Sequence, residues 1–342
     1  MSEGTANFIS VLMPVRNEEA FIERALDSVV TAAERVTGHE IIVVDGMSDD
    51  GTRAIVARLQ ESVANLRLLD NPQRTVPHAM NLGVKAATGD IIIRLDGHAE
   101  MTPDFMAAAL RELAAHPECA CVGGPIENVD LNATAAVVSS AMSSPFGVGN
   151  ARFRTGGSEG YVDTLAFGAY RRADLEAIGL FDEKLVRNQD DELNFRLLKA
   201  GRKIWFSHAI RSRYYVRSSL SKVFKQYFQY GYWKVYVNRK HSTVTNLRQL
   251  APPLLVLTTF VLVLAGLFVS EARLLLALVL ICYLAGASYF ALRASTNPKR
   301  VPAIVLAFAT LHASYGLGYL SGVRDFLFLR RGPSTRSAEL SR

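Results

Sequence analysis

Asp96, Gly97 and His98 close a short apolar run, Ile91 to Leu95, inside the stretch Thr88-Gly-Asp-Ile-Ile-Ile-Arg-Leu-Asp-Gly-His98. A carboxylate oxygen and a neutral imidazole nitrogen at this spacing form a donor pair that suits Mn²⁺ and accepts Mg²⁺. A cation held there could bind a diphosphate and stabilise it as a leaving group. The same residues also read as an ordinary Asp-Gly turn with a surface histidine, and the motif alone does not choose. Other acids stand at Glu18, at Asp45 and in the run Asp190-Asp191-Glu192. Carboxylates such as Glu18 and Asp45 can accept hydrogen bonds from a ribose diol or the imide N–H of uracil. Acids opening a helix favour its dipole with no catalytic role required.

Such residues need strands that end at one edge. Phe8 to Met13 is a β-type run closed by Pro14, and Phe21, Ile22, Ala25, Leu26, Val29 and Val30 then share one helical stripe. Pro14-Val-Arg-Asn-Glu18 lies where that strand meets its helix. Ile41 to Val44 predicts a second buried strand, ending in Asp45-Gly-Met-Ser-Asp-Asp-Gly-Thr52. The Ser48/Asp49 region can cap the helix that follows. Leu66 to Leu69 predicts a third strand, Asn71-Pro-Gln-Arg-Thr75 a loop, and Pro77 to Ala87 a helix that Gly89 stops before the fourth strand. The alternation predicts a parallel, Rossmann-like α/β sheet, whose carboxyl edge is where open sheets bind ligands. Neither GxGxxG after the first strand nor GxxxxGK[ST] occurs, which weakens dinucleotide and P-loop readings. A nucleotide held by acids and a metal remains.

Cys121 to Val129 predicts a strand and turn. Phe146 to Gly160 carries Arg152, Arg154, Gly156, Gly157 and Gly160, and predicts a surface loop or a lid over a phosphorylated substrate. Asp163 to Tyr170 predicts a strand, Leu175 to Gly179 a helix, and Lys203 to Ser207 a short strand leading to His208. Leu193, Leu197 and Leu198 mark the apolar face of the helix that the three acids open. On that helix Asp190 and Asp191 point about 100° apart, so only one faces inward fully.

The 49% hydrophobic and 20% charged residues are unevenly spread: from about Ala251 onward the chain turns strongly apolar. The net charge of +6 comes without any Lys/Arg tract of nucleic-acid character. Basic residues crowd from Arg202 to Arg248 and again after Arg324, which points to an anionic membrane surface or phosphorylated substrates and to no nucleic acid. Cys119, Cys121 and Cys282 form no CxxC, and a reducing cytoplasm is expected for the main domain. The first residues carry no export segment.

Pro14-Val-Arg-Asn-Glu18, Asp45-Gly-Met-Ser-Asp-Asp-Gly51, Asn81-Leu-Gly83 and Gly89-Asp90 to Asp96 occur in the order seen in family 2 glycosyltransferases of the GT-A fold, which the chain resembles over about residues 8 to 240. The resemblance implies that the first turn (Pro14, Arg16, Glu18) and Asp45 hold the nucleotide. It implies that Asp96 and His98 hold diphosphate and metal, with Arg74 near the phosphates or base. Val44-Asp45 stands where the family has Asp-Asp, and Asp-x-His where it has Asp-x-Asp, as in mucin-type GalNAc-transferases. Gln189-Asp-Asp-Glu-Leu193 is similar to the family's Glu-Asp-x-Glu-Leu and registers Asp190 as the base that takes the acceptor proton during in-line, inverting attack. A downstream histidine completes the metal shell in some GT-A enzymes, and His208 is the candidate here. Arg154, Asp191, Gln229 and Trp233 are candidates for acceptor binding. With Phe167-Gly-Ala-Tyr170, these motifs are similar to bacterial succinoglycan-type exopolysaccharide glucosyltransferases, which implies a β-glucosyl product.

Leu220, Val223, Phe224, Tyr227 and Phe228 recur at helical spacing among Lys222, Lys225 and Lys234, and predict a helix lying on a bilayer. Packing against protein on its other face is compatible. Gln229-Tyr-Gly-Tyr-Trp233 is similar to the Gln-x-x-Arg-Trp of processive synthases but lacks the Arg, so processivity is not expected. Apolar spans follow at about 252–270, 273–292 and 301–322, each near the roughly 20 residues that cross a bilayer. Asn297-Pro-Lys-Arg300 fits the cytoplasmic side. If the third span crosses, Arg324, Arg330, Arg331 and Arg336 lie outside, against the positive-inside rule; if it re-enters, they stay inside.

The expected layout is a catalytic domain at 1–215, interfacial helices at 216–248, two to three spans at 249–325 and a basic tail at 326–342. The expected activity is a metal-dependent (Mn²⁺ or Mg²⁺), inverting transfer of a sugar, glucose first, from a UDP-sugar to a polyprenyl-diphosphate-linked saccharide. The expected place is a bacterial inner membrane with the catalytic domain in the cytoplasm. A polyprenyl-phosphate sugar synthase and a non-catalytic membrane subunit are the competing readings.

Overall fold

The computed structural model describes residues 8–216 and 219–332. The chain begins β1 (Ile9–Val15), α1 (Ile22–Ala33), β2 (His39–Asp45), α2 (Thr52–Gln60), β3 (Leu66–Asp70), α3 (Val76–Ala86) and β4 (Ile91–Arg94). It continues β5 (Ala99–Met101), α4 (Phe105–Ala115), β6 (Cys119–Gly123), β7 (Ile126–Val129), α5 (Ala133–Met142), α6 (Pro145–Val148) and α7 (Arg152–Thr155). Then come β8 (Gly160–Tyr161), β9 (Gly168–Arg171), α8 (Arg172–Ala177), α9 (Gln189–Lys199), β10 (Lys203–Phe206) and β11 (Ser212–Tyr215). Four long helices close it: α10 (Leu220–His241), α11 (Ala251–Ala265), α12 (Ser270–Ala294) and α13 (Val301–Gly322).

These elements form two compact units. The first holds the chain up to Asn128 and Ala151–Tyr215, the second Val129–Asn150 and Val216–Arg342. Residues 129–150 therefore group with the C-terminal helices, which chain order alone does not suggest.

In the first unit an eight-stranded sheet runs β3-β2-β1-β4-β9-β6-β10-β8. Parallel pairing of β1 with both β2 and β4, and of β2 with β3, aligns their carboxyl ends, with Val15 beside Asp45 and Asp45 beside Asp70. β1, β2 and β4 read as largely apolar, buried runs because helices cover both faces of such a sheet, whereas β3, at its edge, carries Arg67 and Asp70. The chain goes outward from β1 to β3 and then crosses back to β4, so the order reverses between β1 and β4. A crevice at that switch point is where open α/β sheets bind ligands. The strand expected over Asp163–Tyr170 forms only at Gly168–Arg171, where β9 pairs antiparallel with β4 and β6. A small sheet, β5-β11-β7, flanks the main one.

In the second unit Leu247–Ala265, Ser270–Ala294 and Pro298–Phe328 are each long and apolar enough to cross a membrane. Helices α11 and α12 turn large apolar side chains outward, among them Leu254, Phe260, Leu274, Leu278 and Ile281. An exposed apolar surface of that extent calls for lipid or a partner. α10 is not a loose amphipathic helix: a Cβ at Gly231 would lie 2.1 Å from the Tyr315 carbonyl oxygen, so its backbone is seated on α13. Phe146 meets Phe290 and Phe308, and its carbonyl accepts from His312 Nε2 at 2.8 Å, while His312 Nδ1 lies 2.9 Å from the Tyr283 hydroxyl. Of the expected basic tail, residues 333–342, Arg336 included, lie outside the described residues.

Candidate active site

Glu18, carried on the turn after β1, and His98, after β4, meet at the switch point: His98 Nδ1 is 2.9 Å from Glu18 Oε1. Gly97 permits this approach, since a Cβ there would sit 2.9 Å from Val15 Cγ1 and 3.0 Å from Glu18 Cγ. The turn after β1 is laced to the turn after β2. The amide of Asn17, itself left-handed at φ 54°, donates to Ser48 Oγ at 2.9 Å, and that of Glu18 to Thr52 Oγ1 at 2.8 Å.

Asp96 rests on Arg94, whose Nε donates to Oδ1 at 3.0 Å and whose second nitrogen reaches Oδ2 at 3.3 Å. Arg94 ends β4 and Asp96 follows two residues later, close enough for the guanidinium to reach its carboxylate. Arg94 is buried, with its side chain 6% exposed, while Asp96 is 21% exposed. Burial works against the guanidinium's charge, and the carboxylates of Asp96 and Asp190 outweigh it, raising its pKa above the ordinary arginine value. Its Nη1 has no hydrogen-bond partner among the described residues. A buried cation thus pairs with Asp96 and lies within the field of Asp190.

Asp190 sits in the first turn of α9. That helix is fixed by Leu193 and Leu197 in the core and by the Glu192–Arg196 pair at 2.8 Å. Arg196 donates in turn to the carbonyls of Ile178 and Leu180, and Asn194 to that of Leu165. Burial pushes the Asp190 carboxyl above its usual range, Arg94 pulls it back and Asp191 adds to the rise. For His98, burial alone would lower the pKa. The Glu18 carboxylate, then Tyr214 and Asp96, raise it to about 9.

Asp96, and His98 through Nε2 once a cation displaces its proton, suit a divalent ion: Mg²⁺ and Mn²⁺ sites commonly use one or two protein donors and fill the rest with phosphate and water oxygens. His208 does not join them. Its Nε2 is 2.7 Å from the Gly157 carbonyl oxygen, and no three His, Cys, Asp or Glu side chains among the described residues are grouped to hold a metal. The reason is local. Residues 207–210 turn tightly over Gly124, where a Cβ would meet two carbonyl oxygens, and the ring swings toward 157–159.

Asp45 is fully buried, its carboxylate accepting from Ser48 N at 3.0 Å, from Ser48 Oγ, and from Arg53 at 2.7 Å. Three of its roughly four acceptor sites are taken, and the side chain is 0% exposed, so a ribose or base reaches it only with local movement. Pro14 lies in β1 beside Val44, Arg16 begins the first turn, and Arg74 is exposed with a left-handed backbone at φ 61°. Arg154 donates to Asn128 at 3.3 Å and stacks on Tyr214 at 5.2 Å; Tyr214 in turn packs edge-on to His98 at 5.1 Å. The basic segment is thereby tied to the His98 end of the site. Gln229 and Trp233 are buried in the second unit, Trp233 beside Phe326 and Tyr236.

Sequence reasoning assigned no role to Arg94 or Tyr214. The signal for Arg94 was there: a charge inside an apolar strand must be paired, and the partner with the matching period is Asp96.

The Glycosyl transferase family 2 profile matches residues 10–179. A dolichyl N-acetyl-alpha-D-glucosaminyl phosphate 3-beta-D-2,3-diacetamido-2,3-dideoxy-beta-D-glucuronosyltransferase of Methanococcus voltae is 32% identical over 242 residues, 68% of this chain and 75% of that protein. The chain belongs to glycosyltransferase family 2. The succinoglycan biosynthesis protein ExoA of Rhizobium meliloti is 30% identical over 253 residues, covering 73% of this chain and 76% of the relative. Among solved structures, the mannosyltransferase PcManGT of Pyrobaculum calidifontis, in complex with GDP-Man and Mn²⁺, superposes with a TM-score of 0.66 at 20% identity. That likeness covers 94% of this chain and 88% of PcManGT. The fold is thus a GT-A glycosyltransferase sheet followed by three apolar helices, as expected.

Proposed function

We propose that this family 2 enzyme is membrane-anchored and inverting, and that it moves a sugar from a nucleoside diphosphate, UDP-glucose first, onto a polyprenyl-diphosphate-linked saccharide at the cytoplasmic face. The observation that carries the reading is the single buried guanidinium of Arg94 beneath Asp96 and within the field of Asp190. One acid then serves the departing diphosphate and the other the acceptor.

The acceptor oxygen attacks the anomeric carbon opposite the diphosphate. As that C–O bond forms, the bond to the diphosphate oxygen breaks and its electron pair leaves with the diphosphate. The acceptor proton passes to Asp190. Asp96 and His98 would hold Mn²⁺ or Mg²⁺, which when bound neutralises charge on the diphosphate. Glu18 orients His98. Pro14, Arg16 and Asp45 shape the nucleotide turn, and Arg74 lies within the same loop system. Arg154 and Asp191 serve the acceptor side.

Relatives named for dolichyl-phosphate-linked and succinoglycan sugars support a lipid-linked acceptor. The three apolar helices support membrane attachment.

The test is nucleotide release by the full-length protein in lipid, with UDP-glucose and GDP-mannose, either cation, and a panel of polyprenyl acceptors. Asp190→Asn and Asp96→Ala run alongside. Metal-dependent turnover on a sugar-bearing lipid, lost in both variants, is expected. Turnover only on bare polyprenyl phosphate that survives Asp190→Asn would move the assignment to a polyprenyl-phosphate sugar synthase, since an ionised phosphate needs no base. Silence with nucleotide binding intact would make the chain a non-catalytic subunit.

A further inference from the structure

Helix α13 is long enough to cross a bilayer, yet its neighbours within the second unit hold its far end beside the point where α11 begins. Asn238 of α10 donates to Gln249, two residues before α11 starts, and to the Tyr319 hydroxyl of α13, both at 3.2 Å. A Cβ at Gly316 would lie 2.7 Å from the carbonyl oxygen of Pro252, in the first turn of α11. The start of α11 and the last turns of α13 are thus side by side.

Helix α10 extends the same picture. Gly318 abuts the Phe228 carbonyl and Gly322 the Tyr232 carbonyl, while Arg239 donates to the Phe326 carbonyl at 2.9 Å. Partners advance together along both chains, so α10 and the second half of α13 run parallel with their backbones in contact. Tyr232 also donates to Asp325, just past α13, at 3.1 Å. α10 carries Lys222, Lys225, Lys234, Arg239 and Lys240, too many cations for a span.

From this geometry we infer that only α11 and α12 cross the membrane, and that α13 begins and ends on one side. Two crossings return the chain to the side where α11 began, and that is where α13 starts. Its end is packed against the beginning of α11, on that same side. With α10 it forms an element for the lipid headgroup layer, presenting Phe224 beside Lys222 and Lys225 at the start of α10, and Leu327, Phe328 and Leu329 just past α13 near Arg239 at the end of α10. Arg324, Arg330 and Arg331 then stay with the basic side, which satisfies the positive-inside rule. The inference rests on the membrane reading above, but on neither the donor nor the acceptor.

The test is cysteine accessibility in the full chain, in a Cys282→Ser background because Cys282 is exposed while Cys119 and Cys121 are buried. Phe268→Cys marks the α11–α12 turn, Thr296→Cys the α12–α13 link, Gly332→Cys the end of the described chain and Ser62→Cys the first unit. Spheroplasts are treated with a membrane-impermeant maleimide before and after lysis. Phe268→Cys is expected to label in intact spheroplasts, and the other three to rise together by about tenfold or more only on lysis. Labelling of Gly332→Cys but not Ser62→Cys before lysis would mean three crossings and overturn the inference. Equal protection of all four sites, or release of the protein by alkaline carbonate, would overturn it together with the membrane reading. The inverse pattern, with Phe268→Cys alone protected, would uphold it and reverse only the assignment to the cytoplasmic face.

Discussion

Arg94, the last residue of β4, holds the carboxylate of Asp96 two residues on, Nε to Oδ1 at 3.0 Å. The pair is mostly enclosed, with 6% and 21% of the side chains exposed. Removing one member of a buried pair leaves the other charge uncompensated, at about 3–5 kcal/mol. Arg94→Met is expected to lower the thermal unfolding midpoint as well as activity. Arg94→Lys keeps the charge without the planar fork and should keep the fold while lowering kcat/KM by roughly tenfold or more. A Lys variant with full activity would reduce Arg94 to a source of charge.

The raised pKa of Asp190 gives a pH dependence with a definite sign. The ionised base is lost as pH falls through a value above the ordinary aspartate position of about 3.9, so kcat should fall on the acid side earlier than for an exposed carboxylate. Because Asp191 contributes to the rise, Asp191→Asn should move that inflection to lower pH. A pH–kcat profile of both proteins measures this, and an acid limb indifferent to Asp191→Asn would remove Asp190 from the base role.

His208 is bound to the 157–159 segment and is not grouped with Asp96 and His98. His208→Ala is therefore expected to leave the Mn²⁺ concentration giving half-maximal activity within about twofold, whereas a ligand's loss costs far more than the roughly 10–100-fold seen for outer-shell partners. Titration of metal against activity in His208→Ala and His98→Ala makes the comparison. A large shift in the former would restore His208 to the metal shell.

Trp233 is fully buried, packed with Tyr232, Tyr236 and Phe326. Trp233→Ala should cost about 3–5 kcal/mol of stability, seen as a lower melting temperature in detergent. At a temperature where the variant stays folded, its KM for lipid acceptor should change little. An acceptor KM raised without loss of stability would instead make Trp233 a binding residue.

The alternation of strands and helices, and the acids at strand ends, were legible in the chain because both are local. A buried parallel strand announces itself by its apolar run, and the residue that ends it lies at the sheet's carboxyl edge wherever the strand is placed. Thus Asp45, Asp96, His98 and the turn carrying Glu18 could be placed at that edge in advance, and a motif resemblance singled out Asp190 as the expected base. What folding alone decided were pairings between distant segments. It matched Glu18 to His98, enclosed Asp45 between Ser48 and Arg53, and set Asp190 within the field of Arg94. It also turned His208 away and buried Trp233. Apolar composition showed only that α13 tolerates lipid, since any helix of that length and hydrophobicity can cross. Where α13 ends is a matter of its neighbours: glycine-mediated contacts with α10 and α11 keep its last turns beside the start of α11.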